Sequence, residues 1–298
     1  MNELKIDALL PAEMAEKAES LGVRKAEMPA FTMFMLSLLA GAFIALGAVF
    51  ATTLSSGSMP VTSPDETLLY STNLPYGISR LLAGLAFSLG LILVVVGGAE
   101  LFTGNNLIVM AWANKKVSGY SLFRNWTIVY IGNFIASIAT AGLMFIAMQY
   151  TYGSNAIGIN ALKIAITKCN LGFTQALALG ILGNALVCLA VWLTYSARTT
   201  MDKIIAIIFP VTAFVAAGFE HSIANMYFIP IALFIKEFDP NFVTSLGNKI
   251  QHIETLTWYA FFVKNLIPVT LGNIIGGGAF IGAIYWVIFL RGKNVKPK

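Results

Sequence analysis

Long apolar runs alternate with short polar connections along the whole chain. Six runs approach or exceed the about twenty residues needed to cross a bilayer: Pro29–Leu54, Arg80–Ala113, Phe123–Tyr150, Gly172–Tyr195, Ile204–Ile235 and Thr257–Leu290. Runs of this length predict helices, because barrel strands read as much shorter alternating segments. The expected fold is all-α, a six-transmembrane helical bundle. The Pro/Ser/Thr-rich stretch Ser55–Asn73 reads as a loop outside the bilayer. Ahead of the first run, Ile6, Leu9, Leu10, Met14 and Leu21 recur at helical spacing with acids between them. An amphipathic helix is expected within residues 1–28, lying on the membrane surface or plugging an opening.

Segments two and five are too long for one straight crossing. As unbroken helix each would reach about 50 Å, against a hydrocarbon core of about 30 Å. Each also carries polar residues near its middle: Gly98-Ala99-Glu100-Leu101-Phe102-Thr103-Gly104-Asn105-Asn106 in one, Gly218-Phe219-Glu220-His221-Ser222-Ile223-Ala224-Asn225 in the other. Glu100 and Glu220 lie 120 apart, both in the pattern Gly-x-Glu-x-x-x-x-Asn. Gly132-Asn133-x-Ile135 echoes Gly272-Asn273-x-Ile275 in segments three and six. Segments one to three therefore repeat as four to six. Three crossings per copy make the second copy enter from the opposite side, an inverted 3+3 repeat with two broken helices. Matching interruptions in inverted halves point to a substrate path near the midplane. The expected organisation is an N-terminal helix at 1–28, a channel domain at 29–291 (repeat one 29–150, repeat two 172–291), and a tail at 292–298.

Composition sharpens this picture. Of 298 residues, 57% are hydrophobic and only 11% charged, where a soluble domain has about 25% charged. Soluble and disordered classes are excluded. The net charge of +5 comes without a basic run fit for nucleic acid. Its use is topological: with the N-terminus inside, thirteen Lys and Arg fall on the cytoplasmic side and five (Arg80, Lys163, Lys168, Lys236, Lys249) on the other, with Lys264 inside a segment. Both termini are expected in the cytoplasm. Acids through residues 1–28 argue against a signal peptide. Cys169 and Cys188 suggest neither a disulfide framework nor a metal site, and no cofactor is expected.

An ionised group at the bilayer centre costs roughly 3 kcal/mol on insertion scales, so Glu100, Glu220, His221 and Lys264 must face protein or water. The breaks expose half-helix ends that favour anions. Glu100 and Glu220 read first as structural, satisfying N–H groups at the breaks. Asn105, Asn133, Asn184, Asn225 and Asn273 read as interhelical hydrogen bonders, with Asn184 and Asn225 also open as pore donors. His221 sits at a break and is able to exchange protons near neutral pH. Thr103, at the matching break, offers a hydroxyl. Phe87 and Leu91 share a helix face, and Phe102 and Phe214 lie near the breaks; these are packing residues or the dry constrictions of a pore.

The runs Phe87-Ser88-Leu89-Gly90-Leu91-Ile92-Leu93-Val94-Val95-Val96, Glu100-Leu101-Phe102-Thr103, Gly218-Phe219-Glu220-His221-Ser222-Ile223-Ala224-Asn225-Met226 and Asn265-Leu266-Ile267-Pro268-Val269-Thr270-Leu271-Gly272-Asn273-Ile274-Ile275-Gly276-Gly277-Gly278 closely resemble the formate–nitrite transporter family, and within it the bacterial formate channels. The resemblance implies an aquaporin-like homopentamer in the bacterial inner membrane, with one pore per protomer. It implies His221 as the central pore histidine, partnered by Thr103. Leu91, Leu101 and Phe102 would form a cytoplasmic constriction, Phe87 and Phe214 a periplasmic one. Asn184 and Lys168 would attract or hold the anion, and Glu220 and Asn225 would support the histidine. The N-terminal helix would act at the cytoplasmic mouth, in response to pH or a cytoplasmic partner. The substrates would be formate and other small monovalent anions, crossing by proton sharing with an imidazolium kept charged by Glu220. Nitrite or hydrosulfide remains open as the main substrate. A cation transporter using Glu100 and Glu220, and a membrane enzyme pairing His221 with Glu220, are the rival classes. The basic bias opposes the first, and the lack of a nucleophile or metal constellation opposes the second.

Overall fold

The structure, a computed structural model, describes residues 7–63 and 68–291. The expectations for Ile6, Lys5 and the tail 292–298 lie outside the described residues. Helix α1 (Pro11–Glu27) leads into α2 (Ala30–Ser55), and strands β1 (Ser58–Thr62) and β2 (Leu68–Asn73) follow. Helix α3 (Tyr76–Gly97) stops and restarts as α4 (Phe102–Asn105), which runs through a 3-10 turn into α5 (Val109–Ala113); α6 (Gly119–Ile146) completes the first half. The second half holds α7 (Ala156–Cys169), α8 (Phe173–Ser196), α9 (Thr200–Ala216), α10 (Ser222–Phe238) and α11 (Pro240–Ser245). Its last crossing interleaves π-helical turns at Ala260–Leu266 and Ile275–Ala283 with α12 (Ile267–Ile274) and α13 (Ile284–Phe289).

Among the described residues the fold is helical apart from one antiparallel hairpin, paired from Ser58↔Asn73 to Thr62↔Leu68. The expected loop at Ser55–Asn73 is thereby corrected: Val61, Thr62, Tyr70 and Thr72 are residue types that favour extended backbone. Among the described residues, five helices are long and apolar enough to cross a membrane. Segment five is not one of them because its break divides it into α9 and α10, of 17 residues each.

Both breaks form in the same way. Gly98 and Gly218 adopt φ of 81° and 77°, in the left-handed region open to glycine at little cost. The next residue then donates five back, Ala99 to Val94 at 2.9 Å and Phe219 to Phe214 at 3.1 Å, the bond pattern of a glycine-terminated helix. Beyond the glycine the extended chain is stitched to a neighbour: Glu100 N–H donates to Leu36 and Glu220 N–H to Leu179, both at 3.2 Å. Leu36 lies six residues into α2 and Leu179 six into α8, so each break sits roughly 9 Å from the start of its partner helix.

Those starts are on opposite faces. Helix α1 covers one face, where Lys17 Nζ donates to the Tyr195 carbonyl at the end of α8 at 2.7 Å. Partial burial, with Lys203 and Arg198 nearby, holds the Lys17 ammonium below the usual lysine value. Helix α2 thus begins where α8 ends, and the two copies are inverted. Phe31, Ile146 and Phe209 are among many large apolar side chains pointing outward, the surface expected of a body solvated by lipid or by further subunits.

Candidate transport site

Each break is held by one set of side chains, and the two sets follow one plan. In the first, Asn133 Oδ1 accepts from Phe102 N–H at 2.9 Å, while its amide donates to the carbonyls of Ser37 at 2.7 Å and Glu100 at 3.0 Å. In the second, Asn273 Oδ1 accepts from Ser222 N–H at 2.9 Å, and its amide donates to Gly180 at 2.8 Å and Glu220 at 3.1 Å. The carboxylates follow the same plan. Glu100 accepts from Asn105 at 2.7 Å and pairs with Lys25 at 3.0 Å; Glu220 accepts from Asn225 at 2.6 Å and pairs with Lys168 at 2.6 Å. Asn105 donates on to Asn125, and Asn225 to Asn265. Asn125 then returns to the Lys25 carbonyl at 3.0 Å, as Asn265 does to that of Lys168 at 3.1 Å.

Two expectations change here. The broken-end N–H groups are satisfied by Asn133 and Asn273, not by the glutamates. Glu220 does not hold His221 charged either: its oxygens are occupied by Lys168, Asn225 and Asn265. With a lysine on each carboxylate, neither glutamate is a free anionic ligand for a passing cation. Asn184, expected near the anion, donates its amide to Asn106 and to the carbonyls of Thr103 and Asn273, which ties α8 to both halves.

His221 is the N-cap of α10 and is 2% exposed. Its Nδ1 accepts from the Ala224 N–H at 3.1 Å, which leaves Nε2 as the protonated nitrogen of the neutral ring. Nε2 lies 2.9 Å from Thr103 Oγ1. A proton added at Nδ1 would set two N–H groups against each other and remove the cap. The Thr103 hydroxyl is both donor and acceptor, and Asn184 and Cys188 fix the residue's backbone by donating to its main-chain carbonyl. The two breaks, separated by more than a hundred residues of chain, thus meet at one hydrogen bond.

Two cavities approach this pair. A vestibule of about 620 Å³ under α1 is bounded by Lys25, Leu91, Glu100 and Leu101. A chamber of about 80 Å³ on the hairpin side is bounded by Arg80, Phe87, Lys168, Phe214, His221 and Asn225. Phe87 packs edge-on against Phe214, with ring centres 5.6 Å apart, and Phe214 lies 6.0 Å from the His221 ring. Leu91 and Phe87 are one turn apart on α3, so the partition between the cavities is about one helical turn thick, near 6 Å. Phe102 borders neither cavity; its ring stands edge-on to Trp126 and Tyr130.

Sequence reasoning singled out neither Lys25 nor Arg80, and it passed over Asn106, Asn125 and Asn265. A signal did exist for one pair: Asn125 and Asn265 share the 140-residue offset of Asn133 and Asn273.

Two inverted copies whose broken helices meet between two cavities define a membrane-embedded transport protein. The family described as Formate/nitrite transporter matches residues 12–287, and the chain belongs to that family. It is 44% identical over 286 residues to "Formate channel FocA" of Escherichia coli (strain K12), covering 96% of each chain. It is 40% identical to "Formate channel FocA" of Haemophilus influenzae, over 92% of this chain and 93% of that one. Among solved structures, "Pentameric formate channel with formate bound" matches with a TM-score of 0.77 and 46% identity, over 88% of this chain and 98% of the other. "FNT family ion channel" matches at a TM-score of 0.72 and 25% identity, over 93% and 98%.

Proposed function

We propose that the chain forms a homopentameric channel for formate and other small monovalent anions in the bacterial inner membrane, with both termini cytoplasmic, and that it acts as a channel rather than an enzyme. The observation that carries the reading is the Thr103–His221 hydrogen bond joining the two breaks between a vestibule and a chamber, in a chain so similar to named formate channels. Vestibule and chamber are then the cytoplasmic and periplasmic approaches, with Leu91 and Leu101 bounding one and Phe87 and Phe214 the other. Lys168 borders the chamber but is spent on its pair with Glu220 at 2.6 Å, so it adds no net charge to draw an anion.

The physical difficulty is the charge. A carboxylate stripped of water pays a large desolvation cost, and protonating it fully at neutral pH costs about 4 kcal/mol from a reference pKa near 4. The His221 Nε2–H and the Thr103 hydroxyl are the donors at the partition. When an anion replaces Thr103 as the acceptor, proton sharing with Nε2–H delocalises its charge without the second ring proton that the Ala224 cap opposes. Thr103 serves as the exchangeable partner on the empty ring.

The test compares the parent, His221→Asn and His221→Phe in liposomes with formate gradients at several pH values. Asparagine keeps an acceptor for the cap and an N–H donor but does not titrate; phenylalanine keeps neither. Formate flux should fall at least tenfold in H221F and persist in H221N, which keeps the N–H donor, with a parent-like dependence on the pH gradient. Parent-like flux in H221F would rule out the Nε2–H hydrogen bond as the contact that carries the anion. Competition by nitrite and hydrosulfide in the same vesicles ranks the substrates.

A further inference from the structure

The hairpin-side chamber holds two cations, and they are placed differently. Lys168 is closed onto Glu220 at 2.6 Å, so that pair brings no net charge. Arg80 instead lies across the end of α9. Its Nε donates to the Ala216 carbonyl at 3.3 Å and its Nη2 to the Val215 carbonyl, and among the described residues no carboxylate pairs with it.

This anchoring uses one edge of the guanidinium. Arginine carries five N–H donors in a planar fork, and the Nε–Nη2 edge accounts for two. Three remain on the Nη1–Nη2 side of a residue that borders the chamber together with His221. A planar fork with one edge fixed and the other free is the arrangement that accepts a carboxylate through two parallel hydrogen bonds. The carbonyls at the end of α9 hold Arg80 in place but offset only part of its charge, since a helix C-terminus carries about half an elementary negative charge. The net positive charge of the chamber therefore comes from Arg80. The space of about 80 Å³ suits one small planar anion with a water or two.

We propose that Arg80 is the capture site of the hairpin-side chamber, binding a small carboxylate, or a planar anion of the same shape, edge-on before it reaches His221. The proposal rests on the channel reading above and deepens it by naming the group that receives the substrate. Arg80 also links α3 to the stop of α9, so the anion docks where the second break is held.

The experiment measures initial formate flux into the chamber side of oriented proteoliposomes, against formate concentration and ionic strength, for the parent, Arg80→Gln and Arg80→Lys. In R80Q the apparent KM should rise at least fivefold with Vmax within twofold of the parent, and the decline of flux with added salt should flatten. R80K should keep the salt dependence, because it keeps the charge, but lose the fork, so that chloride competes with formate several-fold better than in the parent. An R80Q KM equal to the parent's, or a loss of Vmax alone in both variants, overturns capture and leaves Arg80 a structural tie. Should R80Q fail to assemble, an unchanged chloride competition in R80K overturns the proposal by itself. Absence of formate flux in the parent would instead overturn the channel reading, so the two failures are distinguishable.

Discussion

At the scale of residues, the site is built from amides rather than charges. Asn133 and Asn273 each serve one backbone N–H and two carbonyls at a break, and both are fully buried. Asparagine suits this place because it donates twice and accepts on one short, neutral side chain. Replacing Asn273 by Leu keeps the volume but strands the Ser222 N–H and the Glu220 carbonyl, while the Gly180 carbonyl keeps its donor within α8. A buried unsatisfied group costs about 1–3 kcal/mol, so N273L should destabilise the protein by at least about 2 kcal/mol, and N133L by a similar amount. Thermal unfolding in detergent, with the exposed Asn248→Ala as a control within about 0.5 kcal/mol, measures this; a mild effect at either position would mean the breaks are held by something else. The sequence marked Asn133, Asn273, Glu100 and Glu220 through their shared spacings. It could not disclose that the asparagines, rather than the glutamates, cap the breaks. Either side chain accepts from an N–H, and only the geometry tells which one does.

At the scale of elements, the inverted repeat extends past the membrane segments that revealed it. Lys25 on α1 and Lys168 on α7 reach equivalent glutamates and lie 143 residues apart, the same offset as Leu36 and Leu179. Helix α7 is therefore the second copy's counterpart of the N-terminal helix. Hydropathy reading picked out the six apolar runs because lipid demands them, yet it passed over α7, whose Ala156–Cys169 span mixes apolar positions with Asn160, Lys163 and Lys168. The correspondence implies a matched response in the two halves. Removing one member of a buried ion pair strands the other and costs about 3–5 kcal/mol, whereas removing both charges is often nearly neutral. Lys25→Met should therefore destabilise the protein strongly, toward the lower limit because its side chain is 29% exposed, and adding Glu100→Gln should recover most of the loss. Lys168→Met and Lys168→Met/Glu220→Gln should behave alike. Double-mutant cycles from chemical denaturation check this, and a double variant as unstable as the single would refute the pairing account.

At the scale of the whole molecule, the inversion is close in the backbone and absent in the cavities. The same bonds hold both breaks, yet one approach encloses about 620 Å³ and the other about 80 Å³. The difference arises because α1 stands over a wide vestibule while Phe87, Phe214 and Phe228 crowd the opposite side, with Phe87 and Phe228 stacked at 6.3 Å. On the channel reading proposed above, a vestibule of that volume admits anions much larger than formate, and selection is assigned to the thin partition between Leu91 and Phe87. These residues lie in series on one helix, and trimming either one leaves the other in place. Acetate-over-formate permeability should thus rise only modestly, about twofold, in Leu91→Ala and in Phe87→Ala. In the double variant it should rise well beyond the product of the two, because contacting residues couple where distant ones add. Stopped-flow swelling of liposomes in formate and acetate measures the ratio. If Leu91→Ala alone matched the double variant, the vestibule side would hold the whole barrier, and the aromatic cluster would be packing rather than part of the selective step.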